Sequence, residues 1–125
     1  MIDKKVCVFG LGFVGLTLSI VLAERGFKVF GLEINDEQRK RILKGNPNLY
    51  EKNIKRRLKI LLKKKKIIIN KKLNKSFVSS TYIVTVGTPL NKSKKCNFDM
   101  IRRVSNEIKK YLKFNDHIIL RSTVK

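Results

Sequence analysis

The stretch GLGFVG at residues 10–15 carries three glycines spaced as G-x-G-x-x-G, with apolar runs on both sides. The run over 4–9 predicts a buried β-strand, and the run over 13–25 predicts an apolar helix that ends at Gly26. Glycines between a strand and a helix leave the first N–H groups of the helix open to a phosphate. The stretch therefore predicts a β-α-β unit that binds a dinucleotide.

Five residues of this stretch have separate physical roles. Gly10 permits the tight turn out of the strand, and Gly12, which lacks a Cβ, lets the backbone approach the pyrophosphate. Gly15 allows the helix to pack closely on the strand. The free N–H groups of Phe13 and Val14 meet the pyrophosphate at the positive end of the helix. We therefore expect all five residues to contribute to cofactor binding.

An acidic residue, Glu33, ends the second predicted strand, which covers 28–33. A carboxylate at this position can accept hydrogen bonds from the hydroxyls of the adenosine ribose, and it repels a 2′-phosphate. The sequence therefore favours NAD over NADP as the cofactor. Arg39, in the following helix, is a further candidate cofactor contact. Its positive charge would attract a 2′-phosphate and so weaken the preference for NAD.

Strand and helix patterns alternate along the rest of the chain. Asn35, with Gln38 three residues later, predicts a capping box at the start of the second helix, and Gly45 is placed to end that helix. Alternating strands and helices predict a parallel sheet, and right-handed crossovers favour the order 3-2-1-4-5 of an α/β doubly wound, or Rossmann, fold. We expect a single domain over residues 1–125. The remaining predicted elements are a helix over 49–63, a strand over 67–69, a strand over 82–86, a helix over 99–112 and a strand over 116–121. The predicted inward face of the last helix consists of Ile101, Val104, Ile108, Tyr111 and Leu112.

Two segments follow the fourth and fifth predicted strands, VGTP at 86–89 and RSTV at 121–124. In a doubly wound sheet, ligands bind outside the carboxyl ends of the strands. The hydroxyls of Thr88, Ser122 and Thr123 are therefore placed toward the nicotinamide end of the cofactor. Ordinary capping and turn chemistry at strand ends is the alternative interpretation of each.

These segments together resemble the UDP-glucose/GDP-mannose dehydrogenase family, with the same order and spacing over essentially the whole chain. The family oxidises a nucleotide-sugar alcohol to a carboxylate in two NAD-dependent steps. The resemblance implies that Glu33 and the glycines of 10–15 bind NAD. It implies that Thr88 and Thr123 lie near the reacting centre, and that Thr123 helps to hold a water there. For the full-length protein it implies a nucleotide-sugar substrate, a homo-oligomer and a cytoplasmic location. The matching residues are GLGFVGLTLS at 10–19, Glu33, the Gly45, Pro47 and Glu51 pattern of GNPNLYE, VGTP at 86–89, Asp99 and RSTV at 121–124.

The chain departs from the family pattern in three ways. The family's nucleophilic cysteine, its catalytic lysine and asparagine, and its sugar-binding domain lie beyond the segment 121–124, and the sequence ends at Lys125. Cys7 and Cys96 do not match the catalytic cysteine. Glu33 stands where the family usually has Asp. We therefore expect an incomplete Rossmann domain that binds NAD without turning over a sugar nucleotide.

The net charge of +21, from 30 basic against 9 acidic residues, suggests a nucleic-acid-binding protein as an alternative. The sequence has no helix-turn-helix, zinc or base-stacking motif, and its 22 lysines outnumber its 8 arginines. The lysine run at 63–66 fits a solvated helix end, and we expect no specific nucleic-acid partner. Another NAD-dependent Rossmann dehydrogenase, such as a hydroxyacyl-CoA type, is the second alternative. The VGTP and RSTV segments argue against it.

The uncharged run over 6–23 is long enough to suggest a membrane-spanning or signal segment. Its glycines fall where a strand would turn into a helix. We therefore interpret the run as a buried strand followed by a buried helix, and we expect no membrane partner. The two cysteines fit neither a metal-ligand spacing nor a disulfide framework, and no metal site is expected.

Overall fold

The structure, a computed structural model, describes residues 4–47, 52–87 and 98–121. The strands are β1 (Lys5–Phe9), β2 (Lys28–Leu32), β3 (Ile67–Asn70), β4 (Thr81–Val84) and β5 (His117–Leu120). The helices are α1 (Phe13–Glu24), α2 (Asp36–Leu43), α3 (Lys52–Lys63) and α4 (Asp99–Lys109), with a turn of 3-10 helix at Lys75–Phe77. The five strands are parallel and lie in the order β3-β2-β1-β4-β5, which confirms the predicted doubly wound topology.

Helices and a crossing segment cover both faces of the sheet. One face packs against α1, α2 and α3, through buried residues that include Leu16, Ile42 and Leu58. The other face packs against α4 and the connection between β3 and β4, with Tyr82 and Val104 among its buried residues. Because the central strands are covered on both faces, their sequences are continuously apolar. The carboxyl ends of β1, β2 and β4 remain together at one edge of the sheet.

Each of the first three helices is followed by a residue with a left-handed backbone. Gly26 and Gly45 have φ angles of +100° and +72° after α1 and α2, as their positions predict. Lys65 has a φ angle of +57° after α3, and the N–H of Lys66 donates to the carbonyl oxygen of Leu61 at 2.9 Å. All three helices therefore end in the same C-terminal motif, the third of them without a glycine.

The strand β4 is shorter than the sequence predicts. It ends at Val84, whereas the apolar run suggests a strand to residue 86. The side chain of Thr85 explains the difference: its Oγ1 lies 2.8 Å from the carbonyl oxygen of Phe9 and 2.6 Å from that of Gly10. The chain leaves the sheet here to support the loop after β1.

The helix α4 is also shorter than predicted, since it ends at Lys109 and not at residue 112. The N–H groups of Tyr111 and Leu112 both donate to the carbonyl oxygen of Ile108, which closes the helix in a tight turn. Leu112 lies beside Val84 and Leu120 of the sheet, but it is 45% exposed, whereas Val104 and Ile108 are buried as predicted.

The uncharged run over 6–23 divides into β1 and the 12-residue helix α1, as predicted. Among the described residues, no helix is both long and apolar enough to cross a membrane. The first residues of the helix predicted over 49–63, together with the family-matching Glu51, lie outside the described part of the chain.

Candidate cofactor-binding site

The glycine loop between β1 and α1 forms one wall of the candidate site. Gly10 has a φ angle of +87°, in the left-handed region that glycine adopts without strain. A Cβ on Gly15 would overlap the carbonyl oxygen of Gly10 and press on the Oγ1 of Thr85, so only glycine lets α1 approach this closely. A Cβ on Gly12 would meet no atom within 4 Å. The fold itself requires Gly10 and Gly15, whereas Gly12 faces open space.

The start of α1 offers backbone donors without a side-chain partner. Gly12 is the N-cap residue, no side chain caps this helix end, and no acidic residue lies in its first turn. The N–H groups of Phe13 and Val14 belong to the first helical turn, which has no acceptor within the helix. The side chains of both residues are exposed. An anion in front of Gly12 would meet these donors and the positive end of the helix dipole.

Glu33 lies just beyond β2, with its carboxylate against the glycine loop. Its Oε1 accepts a hydrogen bond from the N–H of Leu11 at 2.9 Å, and its Oε2 accepts one from the N–H of Asn35 at 3.0 Å. An ionised carboxylate has about four lone-pair positions, so about two remain for the hydroxyls of a ribose. The carboxylate joins the glycine loop to the start of α2 and still offers acceptors to a ligand.

Only half of the predicted capping box at the start of α2 is formed. The Oδ1 of Asn35 accepts a hydrogen bond from the N–H of Gln38 at 2.8 Å, which confirms Asn35 as the N-cap. The side chain of Gln38 does not return to the N–H of Asn35, because that N–H donates to Glu33. Its Nε2 instead donates to the carbonyl oxygen of Leu11 at 3.2 Å. Gln38 therefore helps to hold the glycine loop.

A second group of charges lies beside Glu33. The Nη1 of Arg39 donates to the backbone carbonyl oxygen of Glu33 at 2.9 Å, and its Nη2 donates to the Oδ1 of Asp36 at 2.6 Å. The Nζ of Lys71 lies 3.8 Å from the same Oδ1. The hydrogen bond from Arg39, followed by the charge of Lys71, lowers the pKa of Asp36, so this carboxyl is ionised at neutral pH. Arg39 thus lies next to Glu33, with its own charge engaged by Asp36.

A cleft of about 420 Å³ runs from the glycine loop, across the carboxyl ends of β1, β2 and β4, to α4. Its volume is in the range of small-molecule sites in proteins. Among the described residues that line it, basic side chains outnumber acidic ones, which favours an anionic ligand. The basic residues are Lys71, Lys72, Arg103 and Lys110, and the acidic residues are Glu33 and Glu107.

Only some of the predicted cofactor contacts that the structure describes line this cleft, since Phe13, Val14, Gly15 and Arg39 are not among its lining residues. Gly10, Gly12 and Glu33 line it, and Gly15 packs directly behind Gly10. Arg39 contacts the backbone of Glu33. The predicted contacts Thr88, Ser122 and Thr123 lie outside the described residues, as does Cys96.

Sequence analysis missed three side chains that support or flank the site. Thr85 lies beneath the glycine loop, Gln38 reaches across it, and Lys71 contacts Asp36. Thr85 and Lys71 directly follow β4 and β3, which neighbour β1 and β2 in the sheet. The predicted strand order therefore places these two residues beside the glycine loop and Glu33. The sequence pattern predicts Gln38 only as part of the capping box, and no local pattern indicates its contact with Leu11.

Comparison with known proteins connects this geometry to a family. Residues 4–125 match the UDP-glucose/GDP-mannose dehydrogenase family, NAD binding domain. The chain belongs to this family. Its match is to the NAD-binding domain of this family, and NAD is its cofactor. This membership favours the nucleotide-sugar dehydrogenase assignment over the hydroxyacyl-CoA and nucleic-acid-binding alternatives.

Individual relatives agree with this assignment. The UDP-N-acetyl-D-mannosamine dehydrogenase of Methanococcus aeolicus is 33% identical over 124 residues, which cover 97% of this chain and 28% of that protein. The solved UDP-N-acetyl-mannosamine dehydrogenase Cap5O of Staphylococcus aureus is 28% identical with a TM-score of 0.86, over 96% of this chain and 28% of that one. The ternary complex of GDP-mannose dehydrogenase from Pseudomonas aeruginosa is 26% identical with a TM-score of 0.83, over 95% of this chain and 28% of that one. The chain thus spans about 28% of the length of these relatives.

Proposed function

We propose that this chain binds NAD with the pyrophosphate in front of Gly12. The observation that carries the proposal is the open space around Gly12, next to the uncapped N–H groups of Phe13 and Val14. A backbone without a Cβ can approach the pyrophosphate there, and the helix start stabilises its negative charge. Gly10 and Gly15 support the site because they fix the loop that carries these donors.

We further propose that Glu33 accepts hydrogen bonds from the adenosine ribose and makes the site prefer NAD. A 2′-phosphate would bring a charge of about −1.5 to −2 toward this carboxylate, which would repel it. The hydrogen bonds from Leu11 and Asn35 fix the carboxylate in this position. Arg39 contributes to the cofactor site indirectly, because its Nη1 donates a hydrogen bond to the backbone carbonyl oxygen of Glu33.

For the whole protein we propose the oxidation of a UDP- or GDP-sugar alcohol to the carboxylate. NAD supplies the hydride acceptor of this reaction. Thr88, Ser122 and Thr123 are the residues that we assign to its nicotinamide end, with Thr123 positioning a water. We also propose that the whole protein is a cytoplasmic homo-oligomer that supplies sugar acids for polysaccharide synthesis.

We propose that the 125-residue chain by itself forms no NADH. Cys7 is buried in β1, and its thiol donates to the carbonyl oxygen of Phe77 at 2.7 Å, so this sulfur is not placed as a nucleophile. We expect no rise in NADH absorbance when the chain is incubated with NAD and UDP-sugars or GDP-mannose. Sustained NADH formation that the substitution Gly12→Val abolishes would contradict this proposal.

Calorimetric titration of NAD into the Gly12→Val variant tests the binding proposal. The valine side chain would occupy the space that the pyrophosphate needs, so we expect the affinity for NAD to fall by at least about a hundredfold, or roughly 2.7 kcal/mol. The melting temperature should change little, because no protein atom lies within 4 Å of the added Cβ. The control is Gly26→Ala at the far end of α1, where the left-handed backbone (φ +100°) makes alanine strained, so this variant should lose stability and still bind NAD. Unchanged affinity in the Gly12 variant would refute the assignment.

A further inference from the structure

We propose that Asp36 determines the cofactor preference of this site together with Glu33, because it holds two cations away from the position of a 2′-phosphate. The cations are Arg39 and Lys71. The inference rests on the proposed binding of NAD, and it assigns to Asp36 a role in specificity that is separate from affinity for NAD.

Both cations are fixed close to Glu33. Arg39 is attached to the backbone of Glu33 through the 2.9 Å hydrogen bond to its carbonyl oxygen. Lys71 directly follows Asn70, whose carbonyl oxygen accepts a hydrogen bond from the N–H of Glu33 at 3.0 Å. Lys71 also lines the cleft. A 2′-phosphate beside Glu33 would therefore lie within reach of a guanidinium and an ammonium group, the two groups that bind phosphates in proteins.

Asp36 engages both of these groups. Its Oδ1 accepts the 2.6 Å hydrogen bond from the Nη2 of Arg39 and lies 3.8 Å from the Nζ of Lys71. The side chain of Lys71 is 48% exposed and that of Arg39 18%, so Lys71 is the cation that is freer to turn toward a ligand. Glu33, Asp36, Arg39 and Lys71 together carry no net charge. Neutralising Asp36 would leave the group with a charge of +1, next to the ribose position.

The neighbouring residue Glu37 offers a matched comparison. Asp36 and Glu37 both lie in the first turn of α2, where a negative charge stabilises the helix dipole. Glu37 pairs with Arg41 at 2.9 Å, and neither residue lines the cleft. Neutralising either acid costs the helix one favourable charge, but only the loss of Asp36 releases cations beside Glu33. A role confined to helix stability would therefore appear equally in both variants.

The test is a calorimetric comparison of NAD and NADP binding to the full chain and to the Asp36→Asn and Glu37→Gln variants. In Asp36→Asn we expect the ratio of the NADP and NAD dissociation constants to fall about tenfold, the effect of about one new charge-assisted hydrogen bond. The affinity for NAD should stay within about twofold of the unmodified chain. The Glu37→Gln variant should keep the original ratio, and the Asp36→Asn/Lys71→Ala double variant should recover part of it.

Three results would overturn the inference while leaving the proposed function standing. The first is an unchanged cofactor ratio in Asp36→Asn, and the second is an equal shift in Glu37→Gln. A parallel loss of both affinities in Asp36→Asn would also overturn it, because Asp36 would then act only through the shape of the loop. Failure of the unmodified chain to bind either cofactor would instead refute the proposed function, and the inference with it.

Discussion

At the scale of single residues, the three glycines of the loop share a motif but differ in what they contribute. Gly10 and Gly15 satisfy steric demands of the polypeptide, whereas the space around Gly12 is open. The spacing G-x-G-x-x-G predicts all three roles, and the binding role of Gly12 stays a prediction. Substitutions in this loop can therefore separate an effect on the free energy of unfolding from an effect on NAD binding.

The substitution Gly15→Ala should destabilise the fold strongly. The added Cβ would overlap the carbonyl oxygen of Gly10, so α1 must move away from the sheet, at a cost of about 2–4 kcal/mol in the free energy of unfolding. Urea denaturation followed by circular dichroism measures this cost. Gly12→Ala, with no atom near its Cβ, is the control and should change stability by less than about 1 kcal/mol. Equal stability of the two variants would show that α1 does not pack as described.

At the scale of elements, the sequence predicts well what depends on local pattern. The order of strands and helices and two of the three left-handed helix ends follow from apolar runs and glycine positions. The end of β4 does not, because it is set by the tertiary contact of Thr85 with the glycine loop. The end of α4 is set by the turn in which the N–H groups of Tyr111 and Leu112 both donate to Ile108. A local sequence pattern also cannot predict the ion pair of Asp36 and Lys71, because these residues are far apart in the chain.

The end of α3 permits a stabilising substitution. Lys65 adopts a left-handed backbone that costs a non-glycine residue about 1–2 kcal/mol, part of which a glycine regains after its larger loss of chain entropy. We expect Lys65→Gly to stabilise the chain by about 0.5–1 kcal/mol, which thermal denaturation would detect as a rise of a few degrees. Lys64→Gly, one residue earlier, should lower the melting temperature. A decrease for Lys65→Gly would contradict the described helix end.

At the scale of the whole molecule, basic residues lie at both ends of the strands, in the cleft at the carboxyl ends and in a second group at the amino ends. Exposed lysines precede or begin β1, β2 and β3 at the edge opposite the cleft, and the lysine run 63–66 ends α3 at that edge. A net charge of +21 attracts any polyanion. The sequence nevertheless contains no base-reading motif, so its composition alone predicts binding without sequence preference.

Binding of DNA by this chain should be sequence-independent and steeply dependent on salt. If about four phosphates are contacted, counterion release predicts that affinity falls about a hundredfold between 50 and 200 mM salt. NAD carries few charges and should be less sensitive. Fluorescence anisotropy with two labelled duplexes of different sequence, measured across this salt range, provides the check. Tight binding to one duplex alone at physiological salt would support the nucleic-acid alternative.

The central claim is that NAD binds at the carboxyl edge of the sheet, between the glycine loop, Glu33 and α4. A titration of the isotope-labelled chain with NAD, followed through its backbone amide signals in NMR spectra, tests it most directly. We predict that the signals of Gly12, Phe13 and Glu33 shift in proportion to bound NAD, while those of Lys28 and Lys66 at the opposite edge stay in place. Shifts confined to the lysine edge, or no saturable shift at all, would contradict the account.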